Sequence, residues 1–204
     1  VIRVKELGFD LVRRPTGGRT VLHDDEVTYS ISVQESDFPG SVVETYKRIS
    51  TGLVAGLRLL GVDASMVAAG ASGHHPQARS SAACFDSPSW YEVVSSGKKI
   101  IGSAQTRKMG TLLQHGSIPI TFSPERVTAV LVMKSEEHRQ RLATMLARKA
   151  GGLAEFLPFR PEFLEVCRAL EEGLSKCLGI ELVEQGYSDW ELEAARELVH
   201  TRYG

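Results

Sequence analysis

The spacing of hydrophobic residues changes along this chain of 204 residues, and that change limits the folds it can adopt. Between Val27 and Val33, apolar residues alternate with small polar ones, which predicts a strand with one face on a core. From Val42 to Leu60 they recur every three or four positions, which predicts an amphipathic helix that Gly61 ends. A strand and a helix that each bury one side require a sheet packed against helices.

The remaining elements extend this layered arrangement. Four further extended runs are predicted in the first part of the chain, at residues 9–14, 90–95, 99–106 and 110–120. Later helices are predicted after Ser135, from Pro161 and from Ser188, where Ser188 and Glu191 form a capping box. With no internal repeat or linker, we predict one α+β domain over residues 1–204. It has a mixed β-sheet with packed helices, and residues 121–204 are predominantly helical.

Composition excludes several classes of protein. The 24 Lys and Arg balance 25 Asp and Glu, and 42% of residues are hydrophobic, which excludes a disordered tail and a strongly basic nucleic-acid scaffold. The longest nearly unbroken apolar run, from Val127 to Met133, is far shorter than the roughly 20 residues of a membrane-spanning helix. Three unevenly spaced cysteines and no signal-peptide pattern indicate a cytoplasmic protein without disulfides. We therefore expect no nucleic-acid or membrane partner.

The three cysteines have different surroundings. Cys167 and Cys177 lie on the apolar stripe of the helix predicted from Pro161, where we expect both to be buried core residues. Cys84 lies in the irregular segment 68–89, outside any periodic apolar face, and is the candidate for chemistry.

A reactive thiol needs a group that stabilises its thiolate. Lys98 and Lys99 follow the hairpin turn and are candidates, although lysines at a turn are more commonly solvated. Four histidines are alternatives: His23, His74, His75 and His115. None has metal-ligand spacing, so we predict no metal site.

Three segments follow one another in the chain: RRPTGGR followed by VLHD at residues 13–24, KKIIGSAQ at 98–105 and QHGSIP at 114–119. In this order they resemble the lipoate-protein ligase and octanoyltransferase superfamily, which shares its fold with biotin protein ligase. The resemblance implies that the first segment lines an acyl-chain pocket, that a lysine of the second reaches the acyl carbonyl, and that the third completes the pocket wall. The implied substrate-binding residues are Arg14, Gly17, Gly18, His23, Gly102, Ser103, Ala104 and His115.

A fourth segment, ACFDSPSWYE at residues 83–92, is similar to the signature of one octanoyltransferase type. In that type the cysteine is the nucleophile and a lysine of the next hairpin strand lowers its pKa, which implies catalytic roles for Cys84 and Lys99. The implied reaction moves octanoyl from octanoyl-acyl carrier protein, through a Cys84 thioester, to a lysine of lipoyl-domain proteins such as glycine cleavage H protein, in lipoate biosynthesis. It needs no cofactor, and we expect a monomer.

Two other functions stay open: an ATP-dependent lipoate-protein ligase, and a non-catalytic relative that binds acyl groups or carrier proteins. Family members normally carry a further helix and strands before the arginine-glycine loop, and we expect these to be lacking here. Basic residues also suggest a rim for acidic carrier proteins, with solvated strand edges as the alternative. They are Arg13, Arg14, Arg19, Lys98, Arg107 and Lys108.

Overall fold

A computed structural model describes residues 2–16, 20–68 and 91–203, with side chains from residue 4 onward. The strands are β1 (Glu26–Gln34), β2 (Ser65–Ala68), β3 (Tyr91–Ser95), β4 (Lys98–Lys108) and β5 (Thr111–Pro119). The helices are α1 (Ile2–Glu6), α2 (Val42–Leu59), α3 (Pro124–Ala129), α4 (Glu136–Lys149), α5 (Phe163–Leu178) and α6 (Asp189–Leu198). A 3-10 turn spans Leu153–Glu155, and a π-helical turn spans Val199–Tyr203. The α+β class is confirmed.

Most of the predicted elements are present, with their expected ends. Gly61 follows the last residues of α2 with a φ of +97°, and Ser188 caps α6 together with Glu191. The strand predicted at residues 9–14 is wrong: this stretch forms no strand. Its apolar residues Leu11 and Val12 are exposed, and Phe9 packs against the second apolar cluster described below. Its apolar residues therefore do not share one buried face.

The five strands form one sheet in the order β1-β5-β4-β3-β2, and all neighbouring strands are antiparallel. The mixed sheet of the prediction is therefore antiparallel in its described strands, apart from an isolated parallel bridge between Lys99 and Ala150. Antiparallel partners directly opposite each other share a face of the sheet. Register thus assigns each side chain of β1, β4 and β5 to one of two faces.

We name the two faces by what they carry. The core face bears Val27, Tyr29, Gln114 and Ile118, and helices α2 and α5 cover its apolar residues. The opposite face bears Glu26, Thr28, His115 and Ser117, and we call it the charged face. A second apolar cluster, separate from the core, joins α3 and α4 to residues near the chain start, including Phe9 and Leu22.

Helices α2 and α5 pack together through glycines. A Cβ atom on Gly173 of α5 would lie 2.2 Å from the backbone nitrogen of Gly56 in α2, and one on Gly56 would lie 2.6 Å from the Ala169 carbonyl. No side chain fits at such distances, so glycine permits the two backbones to touch. This contact holds both helices over the core face.

The helical C-terminal part contains two features that differ from expectation. Cys167 is half-buried against the core, whereas Cys177 is exposed, so the predicted burial of Cys177 is wrong. The buried stripe of α5 ends at Gly173, one turn before Cys177.

Helix α6 has no buried residue. Among the described helices, none combines the length and apolar character needed to cross a membrane.

Candidate functional site

A β-bulge determines which way Lys99 points. Val93 faces Ile101 across the β3–β4 pair, while the next residue, Val94, faces Lys99, so the register shifts between the two pairs. Val93 and Val94 lie on opposite faces of the sheet because they are consecutive in a strand. Ile101 joins the core, and Lys99 therefore lies on the charged face.

The Lys99 amine is buried beside a carboxylate. Its side chain is 6% exposed, and Nζ lies 3.1 Å from Oε1 of Glu92 on β3. A buried ammonium is stable only with a negative partner, which Glu92 supplies. Glu92 was not among the predicted site residues. Its position two residues before Val94 on β3, which shares the face of Lys99, is the signal that could have identified it.

The segment after α4 holds β4 at this point. The Gly151 amide donates to the Lys99 carbonyl oxygen over 3.1 Å. Glu155 accepts from the Gly152 amide at 3.0 Å and forms an ion pair with Lys98 at 2.7 Å. The backbone of Lys99 is therefore fixed from outside the sheet, while Lys98 is occupied by Glu155 rather than standing as a free member of a basic rim.

A second part of the charged face centres on His23. Its Nδ1 lies 2.5 Å from Oε1 of Glu26, whose other oxygen accepts from the Ser117 hydroxyl at 2.5 Å. Thr28 also donates to Glu26, at 2.7 Å. His23 is 55% exposed, whereas Glu26 is 6% exposed. A buried carboxylate thus orients an imidazole that remains in contact with solvent.

The two groups of this pair have pKa values shifted apart. The hydrogen bond that His23 donates to Glu26 raises the pKa of His23, although burial and the charge of Arg14 oppose it. For Glu26, burial raises the pKa, but hydrogen bonds from His23, Ser117 and Thr28 outweigh burial and lower it overall. Both shifts favour a protonated imidazole beside an ionised carboxylate.

The residues that follow His23 are anchored on both sides. Asp24 forms an ion pair with Arg126 of α3 at 3.0 Å, and Asp25 forms one with Arg160 at 2.7 Å. The Asp25 carbonyl accepts from the Ile120 amide at 2.8 Å, just after β5. These contacts fix the backbone next to His23 without using its side chain.

His115 lies on the same face as His23 but has a different environment. Its Nε2 is 2.6 Å from the hydroxyl of Thr16, a buried residue at the start of the glycine loop. Burial lowers the pKa of His115, and the nearby charges of Arg14 and His23 lower it further. Arg14, His23 and His115 are therefore close neighbours, and His115 is kept neutral.

The Ser103 side chain lies on the core face and not beside Arg14, His23 and His115. Its hydroxyl lies 2.7 Å from the Tyr29 hydroxyl on the core face, and Gln114 donates to the same Tyr29 oxygen at 3.0 Å. A Cβ on Gly116 would lie 2.6 Å from the Tyr29 ring, so glycine makes room for it. Ser103 thus lies on the opposite face from Gly102 and Ala104, because consecutive strand residues alternate faces, and its binding role stays a prediction.

The other predicted residues divide between the charged face and the undescribed segments. Gly102 faces Ser117 and Ala104 faces His115, so both small residues lie on the charged face. Gly17, Gly18 and Cys84 lie outside the described residues. Arg107 is held by Glu35, Gly40 and Thr45, so it does not form part of a free basic rim.

Three residues of the charged face besides Glu92 were missed from the sequence: Thr16, Glu26 and Ser117. Glu26 and Ser117 share the strand alternation of Thr28 and His115, and that alternation is the signal that could have found them. Within the described part of the chain, no group of three or more acidic, histidine or cysteine residues is placed to hold a metal ion.

Comparison with known proteins shows which family this chain is similar to. The lipoyl protein ligase A/B catalytic domain matches residues 2–175. Octanoyltransferase LipM of Kyrpidia tusciae is 49% identical over 195 residues, covering 94% of this chain and 71% of the relative. Octanoyltransferase LipM of Brevibacillus brevis is 43% identical over 204 residues, covering 98% of this chain and 74% of the relative.

A solved structure shows the same fold at lower identity. The bipartite lipoate protein ligase of an archaeal lipoylation system, from Thermoplasma acidophilum and described with its E2 lipoyl domain, aligns with a TM-score of 0.79 at 24% identity. The alignment covers 98% of this chain and 70% of that one. The resemblance found in the sequence is confirmed by both kinds of comparison. This chain belongs to the family of the lipoyl protein ligase A/B catalytic domain.

Proposed function

We propose that this protein is an octanoyltransferase of lipoate biosynthesis that moves an octanoyl group to a lysine of a lipoyl-domain protein. The observation that carries the proposal is its 49% identity to an octanoyltransferase over 94% of the chain. Lys99 supports it, because a buried ammonium on the charged face is suited to stabilising a thiolate or a carbonyl oxygen that gains negative charge.

The proposed donor is octanoyl-acyl carrier protein, and the proposed nucleophile is Cys84. The Cys84 sulfur attacks the thioester carbonyl, a new carbon–sulfur bond forms, and the bond to the carrier's sulfur breaks. The proton lost by Cys84 passes to the departing carrier thiolate, so the exchange is balanced. Lys99 stabilises the thiolate before the attack, and no nucleotide is needed because the donor is already activated.

The charged face supplies a site for the acyl group. Gly102 and Ala104 leave space for an alkyl chain beside β4, and His115 and Arg14 line the neighbouring part of the face. Because His115 is kept neutral, it can lie against an uncharged chain at a lower desolvation cost than a cation would. We place Gly17 and Gly18 in the same pocket wall, and we propose a cytoplasmic monomer.

Acylation can be tested by intact mass after incubation with octanoyl-acyl carrier protein. The protein gains one octanoyl group, and so does the matched control Cys177→Ala, whose thiol is the exposed one. Cys84→Ala gains none. An adduct that survives in Cys84→Ala contradicts the proposal. Release of pyrophosphate that requires lipoate and ATP and does not depend on Cys84 would identify a ligase instead.

A further inference from the structure

The second half of the proposed reaction requires a base. The acceptor is a lysine, whose ordinary pKa of about 10.4 leaves roughly one molecule in 10³ neutral at pH 7.4. An ammonium cannot attack a thioester, because its nitrogen has no free electron pair. The amine of Lys99 is already paired with the carboxylate of Glu92 at 3.1 Å. Another group must receive the proton of the acceptor lysine.

His23 has the geometry of such a base. Its Nδ1 is held by the carboxylate of Glu26, which fixes the ring orientation and directs Nε2 away from the carboxylate. Every hydrogen bond of His23 within the described residues involves Nδ1. The ring is more than half exposed, so a macromolecular acceptor can reach it.

The pair lies close to the part of the charged face that carries Gly102 and Lys99. Glu26 accepts from Ser117, and Ser117 faces Gly102 across the β4–β5 pair. Gly102 lies three residues after Lys99, and both lie on the charged face. His23 and Lys99 therefore border the same part of the sheet, one with an oriented imidazole and the other with a fixed cation. The ion pairs of Asp24 and Asp25 keep the His23 backbone in place.

We propose that Nε2 of His23 is the general base that deprotonates the acceptor lysine in the second half-reaction, with Glu26 as the residue that orients it. The inference rests on the proposed octanoyltransferase function and assigns a role within it. The His23–Glu26 pair is the feature of the charged face that the acylation step leaves unused.

The step balances as follows. The acceptor ammonium gives one proton to Nε2 of His23, and the neutral amine attacks the carbonyl carbon of the Cys84 thioester. A carbon–nitrogen bond forms and the carbon–sulfur bond breaks. The second nitrogen proton passes to the departing Cys84 sulfur, which regenerates the thiol. The imidazolium then returns its proton to solvent.

The electrostatic surroundings of His23 support this role. The carboxylate of Glu26 raises the pKa of His23, and the charge of Arg14 opposes this rise. The neutral ring of His115 also lies nearby. The net shift of the His23 pKa is upward from the ordinary 6.5, which increases the proton affinity of the imidazole. His115, on the same face, is shifted in the opposite direction and stays neutral.

The test separates the two half-reactions. Octanoyl-enzyme is first formed from octanoyl-acyl carrier protein and isolated, and a lipoyl domain is then added while thioester loss and amide formation are followed by rapid-quench mass spectrometry. The transfer rate is measured per molecule of isolated octanoyl-enzyme, so it does not depend on the rate of thioester formation. For His23→Gln we expect transfer to be slower by about 10²- to 10⁴-fold. His200→Gln, a substitution in the exposed C-terminal turn, is the matched control and transfers normally.

Two further measurements exclude a merely structural role. Hydroxylamine is already neutral at pH 7 and needs no base, so it should cleave the octanoyl-enzyme of His23→Gln at the unsubstituted rate. The pH dependence of transfer should lose its lower ionisation in His23→Gln. In Glu26→Gln that ionisation should move to lower pH, because the carboxylate that raises the pKa of His23 is gone.

The outcomes are distinguishable. Normal transfer by His23→Gln, or equal slowing of the lysine and hydroxylamine reactions, overturns the role of His23 while the octanoyltransferase function stands. If the unsubstituted protein forms no octanoyl-enzyme at all, the proposed function fails, and the role of His23 fails with it.

Discussion

The two faces of the sheet are made by the same strands, yet they carry different kinds of polar group. On the core face, Tyr29, Ser103 and Gln114 satisfy one another with neutral hydrogen bonds beneath helices. On the charged face, Lys99 and His23 are each held by a carboxylate. Neutral groups keep their hydrogen bonds at any ordinary pH, whereas the charged pairs change with protonation. The neutral cluster around Tyr29 and the charged pairs of Lys99 and His23 thus lie on opposite faces of the same sheet, while Arg107, which pairs with Glu35, is a charged residue on the core face.

The largest effect should follow the loss of the Lys99 charge. We expect Lys99→Met, combined with Glu92→Gln so that no carboxylate is left unpaired, to slow acylation of Cys84 by about 100-fold or more. Rapid-quench intact mass measures the rate. The matched control is Lys98→Met, whose amine pairs with Glu155. Equal slowing by the control would mean that the bulge does not separate the roles of these two lysines.

The core face should respond in stability instead. Gly173→Ala places a Cβ 2.2 Å from the Gly56 nitrogen, so α2 and α5 must move apart. We expect the free energy of unfolding in urea to fall by about 3 kcal/mol. Gly186→Ala, where a Cβ meets nothing within 4 Å, should change it by less than about 0.5 kcal/mol. Equal effects of the two substitutions would contradict the glycine contact.

A smaller loss should follow the removal of one hydroxyl from the core face. Tyr29→Phe deprives both Ser103 and Gln114 of a partner, and we expect a cost of about 1 to 2 kcal/mol. Tyr187→Phe, at an exposed position, is the control and should be nearly neutral. The pH profile of octanoyl transfer should be the same in Tyr29→Phe as in the unsubstituted protein. A shifted profile would show that the two faces are coupled.

The smallest effect is the pH dependence of the His23–Glu26 pair. The pKa of His23 is raised in the folded protein. Its contribution to the free energy of unfolding is therefore complete below pH 6.5 and is lost as the pH rises through the pKa of the folded state. The pKa of Glu26 is lowered in the folded protein. Its contribution to the free energy of unfolding is therefore complete above pH 4.5 and is lost as the pH falls through the pKa of the folded state.

The coupling of the two residues should therefore be largest between these two ordinary values. Because His23 is more than half exposed, we expect the coupling free energy between His23 and Glu26 to be less than about 1 kcal/mol. A double-mutant cycle of His23→Gln and Glu26→Gln, measured by urea unfolding across that pH range and at pH 9, checks this. Coupling that is greater at pH 9 would contradict the assignment of the pair.

Much of this architecture follows from local patterns. The alternation around Tyr29 predicts β1, the helical period before Gly61 predicts α2, and the segments around Lys99 and His115 indicate the family. The orientation of Lys99 does not follow. Strict alternation back from Gly102 would place Lys99 on the core face, and only the bulge places it on the charged face. A bulge is set by the pairing of two strands, so no single segment encodes it.

Other differences have a similar origin. Phe9, Leu11 and Val12 are apolar, but among the described residues no strand pairs with this stretch, so apolarity alone did not make a strand. Cys177 continues the apolar period of α5 beyond the point where the buried stripe ends, so a periodic position was not a buried one. Glu92 and Glu26 are charged residues at strand positions, and their partners become evident only when the strands are aligned.

The contact between Glu26 and Ser117 has a consequence for synthesis of the protein. The two residues are 91 positions apart in the sequence. The Lys99 carbonyl likewise gains its hydrogen bond only when Gly151 has been synthesised. A nascent chain that has left the ribosome only as far as β4 already contains the histidine and the lysine, but not the strand or the turn that holds them. Contacts of such long range close slowly. The arrangement around His23 and Lys99 is therefore complete only after synthesis has passed residue 151 and β5 has paired with β1.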